Sequence, residues 1–124
     1  MEVNNPEALA ELTAAFQRYE QALVTNDVAV LDELFRMAPE TVRYGVAEHL
    51  YGHEEIAAFR AARPAVGLAR TLTRTVITTY GRDAGTAWTE FTREGQPRNG
   101  RQTQAWIRFP EGWRVVAAHV SLAG

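Results

Sequence analysis

Arg43 stands between Val42 and Tyr44 in a short run of β character. Arginine is almost never buried without an anionic partner, so an inward Arg43 would be an anion-binding fork. An outward Arg43 would be an alternating surface residue in a salt bridge, and the spacing leaves both placements open. Tyr19 falls on the stripe Leu9, Leu12, Phe16, Tyr19 and Leu23, one face of a helix. Its hydroxyl must therefore find a partner inside, either as a satisfied core group or as a proton donor in a pocket. His119 sits in the apolar run Val115-Val116-Ala117-Ala118-His119-Val120. It reads as a hydrogen-bonded core histidine or as a proton relay, its unperturbed pKa of roughly 6.5 being close to neutrality.

Strand alternation puts Val116, Ala118, Val120 and Leu122 on one face of the last strand. Trp113, Val115, Ala117, His119 and Ser121 take the other. Gln102 and Gln104 share a face with Trp106, lining either a pocket or a wet dimer interface, with the interface preferred. Trp88, Trp106 and Trp113 suit a core or an interface better than a ligand cage. Glu48 is the acid that strand-like neighbours flank. A base of that kind is what isomerases and dehydratases of cone-shaped folds use.

Other chemistries lose ground. The chain has no cysteine, which removes disulfides, thiolate catalysis and cysteine-held zinc and fits a cytoplasmic protein. His49 and His53 are four apart, but Gly52 and a strand-to-helix change between them break the helical geometry of a zinc pair. Neither a metal nor a cofactor is expected. There is no phosphate loop, dinucleotide fingerprint or nucleophile elbow. The formal net charge of −2 offers no general attraction to nucleic acid or anionic lipid. No apolar run is long enough to span a bilayer, and the N-terminus lacks the pattern of a signal peptide.

The elements that must hold these residues follow from length and punctuation. With 124 residues, 46% hydrophobic and 23% charged, the chain suits one domain over 1–124 with one core. Asn5-Pro6-Glu7 starts a first helix, and Asn26-Asp27 caps a second whose apolar face is Val28, Leu31, Leu34 and Phe35. Short strands at 41–44 and 48–51 precede a third helix opened by Glu54 and Glu55. Ile56 and Phe59 face inward on it, Arg60 and Arg63 suit its negative end, and Pro64 stops it. Strands follow at 68–80, with a bend or bulge, and at 86–93. A polar hairpin loop at 94–100 then leads to strands at 101–109 and 113–122. Helices followed by hairpins make an α+β class. A bent meander closing over an N-terminal helix is the cone of nuclear transport factor 2-like domains, which carry a pocket between helix and sheet.

Several blocks carry a resemblance together: FQRYEQAL (16–23), NDVAVLDELF (26–35), TVRYGVAEHLYGHEEIAAFRAARP (41–64), TVITTYGRD (75–83) and GRQTQAWIRFPEGWRVVAAHVSL (100–122). They resemble the family containing the oxalurate-catabolism protein HpxZ and the cyanuric-acid-pathway protein AtzH, over nearly the whole chain. The resemblance implies a nuclear transport factor 2-like fold and work among amidases that dismantle ureido compounds. In the AtzH branch it implies a decarboxylating amidohydrolase that converts 1,3-dicarboxyurea to allophanate. It also implies active-site roles for Tyr19 and Arg43, with less support for His119.

A mechanism for a small anionic ureido substrate then reads as follows. Arg43 holds a carboxylate or the urea carbonyl, Tyr19 protonates nitrogen, and His119 relays the proton. Leu12, Phe16 and Val120 wall the site, and Gln104 and Ser121 join Phe16 as substrate contacts. Three rivals stand beside it. One is a non-catalytic partner of a pathway amidase, another is an isomerase or dehydratase using Glu48, and the third is a structural dimer without a ligand. A homodimer is expected in any case, because a sheet covered on one side leaves the other needing a partner.

Overall fold

The Asn5-Pro6 pair does start the first helix. The structure is a computed structural model describing residues 1–124, and in it α1 runs Pro6–Val24. The Asn5 side chain accepts the Ala8 N–H at 3.0 Å, satisfying one of the free donors of the first turn. The buried face of α1 is Ala8, Leu12, Phe16, Tyr19, Ala22 and Leu23, which contains the 3.6-residue stripe. Asp27 caps α2, Val28–Leu34, through the Val30 N–H. Phe35, expected as part of that helix, leaves it in an extended conformation and bridges Val115.

Two short strands follow, β1 (Val42–Tyr44) and β2 (His49–Tyr51), then α3 (His53–Ala62). The remainder is the meander β3 (Thr71–Tyr80), β4 (Ala84–Arg93), β5 (Gln96–Phe109) and β6 (Gly112–Leu122). One six-stranded sheet results, in the order β2-β1-β6-β5-β4-β3. Only β1 against β6 is parallel. The architecture is therefore α+β, helices against a curved and unclosed sheet. Leu12, Phe16, Leu31, Leu34, Phe35, Ile56, Trp106 and Val115 fill the space between. Close approach of α1 depends on Gly85: a Cβ there would collide with the Leu12 side chain and come within 2.8 Å of the Thr78 carbonyl.

Three irregularities shape the sheet. The bend expected in 68–80 is a register shift between Leu72 and Arg74 in β3. The polar loop expected at 94–100 is shorter than its composition implies. Gln96 already pairs with Arg93, so the turn is Glu94-Gly95, with Gly95 at φ 81°, and the extra residues are absorbed as an irregularity of the ladder. The third changes the site. Trp106 pairs with Val115 but Ala105 pairs with Ala117, which makes Val116 a bulge.

Candidate functional site

The Val116 bulge decides which residues of β6 look inward. Simple alternation groups Trp113 and Val115 with His119 and Ser121. With one extra residue in the strand, Trp113 and Val115 instead share the interior with Val120 and the partly buried Ala118, while Ala117 and His119 turn outward. Arg43 pairs with Ala118 and faces inward, whereas Tyr44 pairs with His119 and faces out. His119 and Ser121 thus line a broad open depression of about 850 Å³ on the far face of the sheet, with Trp88, Arg101 and Thr103. The His119 ring meets Tyr44 edge-on at 5.8 Å. This placement leaves His119 and Ser121 outside the space that Tyr19 lines, unlike the roles expected for them.

Tyr19 and Arg43 are brought together in a smaller cavity of about 200 Å³ between the helices and the inner face of the sheet. Its apolar walls are Leu23, Val46, Phe59, Leu68 and Val120. Leu12 and Phe16 are not among them. Both are buried in the core, and Phe16 packs beside the Tyr19 ring at 6.2 Å, so it supports the tyrosine instead of touching a ligand. Gln104 is also off the cavity, fully buried, with its Oε1 accepting the Trp106 indole N–H at 3.0 Å. The face shared by Gln102, Gln104 and Trp106 is real but is the interior, so it forms no interface.

Arg43 faces inward and not outward, and it is paired there with a carboxylate. Its Nη1 donates to Glu48 Oε1 at 2.8 Å. The pairing needs Gly45, because a Cβ there would fall on the Glu48 carboxylate. Glu48 is committed to this pair, which weakens it as a lone base.

Four more arginines line the same cavity: Arg60, Arg63, Arg70 and Arg93. Arg70 is saturated. It donates to both Glu20 oxygens, at 2.9 and 2.6 Å, and its Nη1 donates to Gln102 Oε1 at 3.2 Å. Arg60 is buried instead of capping the solvent end of α3. Its guanidinium lies 4.1 Å from the centre of the Phe35 ring and 3.5 Å from Asp32 Oδ1. Burial pushes its pKa down to about 10. Arg63 and Arg93 are each lowered by burial first and then by neighbouring guanidiniums, and neither has a carboxylate partner.

Tyr19 is buried between Phe16 and Phe35, and its hydroxyl donates a long 3.4 Å bond to Gln102 Oε1. Arg60, Arg63 and Arg93 all interact electrostatically with Tyr19. Negative charge at that oxygen would be met by three cations. Five guanidiniums face the three carboxylates of Glu20, Asp32 and Glu48, so the cavity region holds an excess of two positive charges in a chain of net charge −2. No three His, Asp or Glu side chains gather as a metal site would need. His53 Nε2 donates to the Asp32 carbonyl, while His49 packs on Tyr44.

The arginine cluster is the part that sequence reasoning missed. Arg70 and Arg93 come from separate stretches, and no spacing links them. Arg60 did carry a signal, since it follows the inward Ile56 by four residues and so shares its face. Arg63 stands in the same relation to Phe59.

A cone of helices on a curved sheet with an inner cavity defines a nuclear transport factor 2-like, or cystatin-like, protein. A Salmonella enterica Typhimurium protein of the nuclear transport factor 2-like superfamily is 27% identical, with a TM-score of 0.76 over 95% of this chain and 92% of that one. The chain belongs to the AtzH-like family, whose pattern matches residues 1–124. Two solved structures are much nearer. A Pectobacterium atrosepticum protein of unknown function is 63% identical, with a TM-score of 0.97 over 98% of this chain and 95% of that one. A Burkholderia xenovorans protein with a cystatin-like fold is 51% identical, with a TM-score of 0.95 over 100% and 98%. No protein with a curated description matches. No helix is long and apolar enough to cross a membrane.

Proposed function

We propose that this chain is a decarboxylating amidohydrolase of small ureido dicarboxylates, with 1,3-dicarboxyurea as substrate and allophanate as product. The observation that carries this is the cavity: about 200 Å³, an excess of two positive charges, and a buried tyrosine hydroxyl among them. The volume lies below the roughly 300–1,000 Å³ of drug-sized ligand sites, which favours a short ligand. The charge matches a dianion.

In the reaction the bond between a carboxyl carbon and nitrogen breaks, and its electron pair stays on nitrogen. Nitrogen takes a proton from the Tyr19 hydroxyl, and carbon dioxide leaves. Arg60, Arg63 and Arg93 stabilise the phenolate until water restores its proton. Arg43, held by Glu48, presents its remaining donors to the urea carbonyl or the departing carboxylate. With hydration of carbon dioxide, dianion and water give allophanate and bicarbonate, so charge and atoms balance. Attack of water on the carboxyl carbon reaches the same products and needs the same proton on nitrogen. Leu23, Phe59 and Val120 supply an apolar surround that favours neutral carbon dioxide over carboxylate.

The test is turnover of freshly generated 1,3-dicarboxyurea, followed as allophanate above the spontaneous rate. Tyr19→Phe is expected to lower kcat by roughly 100-fold or more, the scale of a lost general acid. Parent-like activity in that variant would remove Tyr19 from the chemistry. No turnover by the parent chain would turn attention to binding or stimulation of a ureido-pathway amidase.

A further inference from the structure

Gln102 is 97% buried, and its amide orientation is forced. Two donors, Arg70 Nη1 and the Tyr19 hydroxyl, converge on Oε1. The Nε2 group is therefore left as the free end of a residue that lines the cavity, and it has no acceptor. The same holds for Arg63, whose Nε and Nη2 are buried without partners, and for Arg93 Nε. Buried donors without acceptors are rare in folded proteins and costly. Here three residues from three separate elements, all lining one small space, carry such donors.

The charges also have an order. Arg43 bears on Arg63, and Arg63 and Arg70 both bear on Arg93. Glu48 neutralises Arg43 at one end of this arc, and Glu20 neutralises Arg70 at the other. The middle pair, Arg63 and Arg93, has no carboxylate within salt-bridge distance, and Glu48 and Glu20 act on them only from farther away.

We infer that Arg63, Arg93 and the Gln102 amide form a second anion subsite, which takes the carboxylate that the ligand keeps. The site then demands a ligand with two anionic ends and discriminates against its own mono-anionic product. The inference rests on the proposed reaction for the identity of the ligand, but its chemistry, a short dicarboxylate, can be tested without turnover.

The probes are 3-oxoglutarate, which replaces each N–H of dicarboxyurea by CH₂, and acetoacetate, which lacks one carboxylate. Calorimetric titration of the full chain is expected to give 3-oxoglutarate an affinity roughly 10–100-fold above acetoacetate, the scale of one or two charge-assisted hydrogen bonds. The double variant Arg63→Gln, Arg93→Gln should bring the two ligands within about threefold. Gln102→Glu, which keeps the acceptor for Arg70 and Tyr19 but adds a negative charge, should also abolish the preference. It serves as a second probe if the double variant does not fold. Unchanged preference in a folded variant overturns the subsite, as does an absence of preference in the parent chain. In turnover the double variant should raise KM by the binding it loses, in addition to the fall in kcat expected from weaker support of the Tyr19 phenolate. A dianion preference without turnover would retain the subsite and reject the reaction. Turnover with an unchanged KM in the double variant would do the reverse.

Discussion

Arg63→Met should make the ligand-free protein more stable, although it deletes a charged residue from the candidate site. Arg63 has two buried guanidinium nitrogens without partners, and Arg43 repels it. A fully buried unsatisfied donor costs about 1–3 kcal/mol. Arg63 is only partly buried, so solvent relieves much of that, and about 1–2 kcal/mol is a fair discount for two such atoms. Methionine keeps most of the aliphatic stem and its packing. For a chain of 124 residues, an unfolding entropy of about 2.1 cal/mol/K per residue converts 1 kcal/mol into about 4 °C. The expected rise in Tm is therefore about 4–8 °C in dilute buffer. Adding glutarate, a stable dicarboxylate of similar span, reverses the comparison. At 100 times Kd it would stabilise the parent by about 2.7 kcal/mol, or roughly 10 °C, and the variant far less. The assay is thermal unfolding of both proteins with and without glutarate. A lower Tm for the variant in plain buffer would refute the reasoning, because it would mean that Arg63 has a stabilising partner in the folded state.

Arg70 lines the same cavity but should behave oppositely. Arg70→Met strands Glu20 and removes two donors to it, so a loss of about 3–5 kcal/mol is expected in chemical denaturation, and a loss below 1 kcal/mol contradicts the saturated pairing. His119→Ala should leave turnover of 1,3-dicarboxyurea within about twofold of the parent, since the ring lies across the sheet from Tyr19, and a loss of tenfold or more in a folded variant contradicts that placement. The expected homodimer would cover the outer sheet face, where Val76 and Trp88 are exposed. Sedimentation should find a dimer that Trp88→Glu dissociates, and a monomeric parent at micromolar concentration contradicts it.

The residues that announce themselves in the sequence act locally. The Asn5 and Asp27 caps, the α1 stripe and the inward placement of Tyr19 all follow from spacing within one helix. What stayed hidden depends on counting across strands. The Val116 bulge has no compositional mark, since a valine suits a regular strand as well as a bulged one. Plain alternation groups His119 and Ser121 with the inward Trp113 and Val115, whereas the bulge turns them outward. The arginine cluster was hidden for a related reason. Arg63, Arg70 and Arg93 meet only because α3, the segment before β3 and the end of β4 converge, and nothing in a single stretch records that. The polar composition of 94–100 suggested an open loop, yet Gly95 allows a turn tight enough for the ladder to resume at Gln96.

The bulge also affects how roles transfer between relatives. Removing the single residue Val116 would restore plain alternation in β6 and leave every side chain beyond it on its present face, because Val115 and Ala117 already pair with successive residues of β5. His119 and Ser121 would stay on the outer face, and Ala118 and Val120 on the inner one. A relative one residue shorter in β6 can therefore keep the same arginine–tyrosine chamber. Equivalence of site residues among such proteins has to be counted from the ladder partners of β5, because a gapless alignment through β6 can pair residues that face opposite sides.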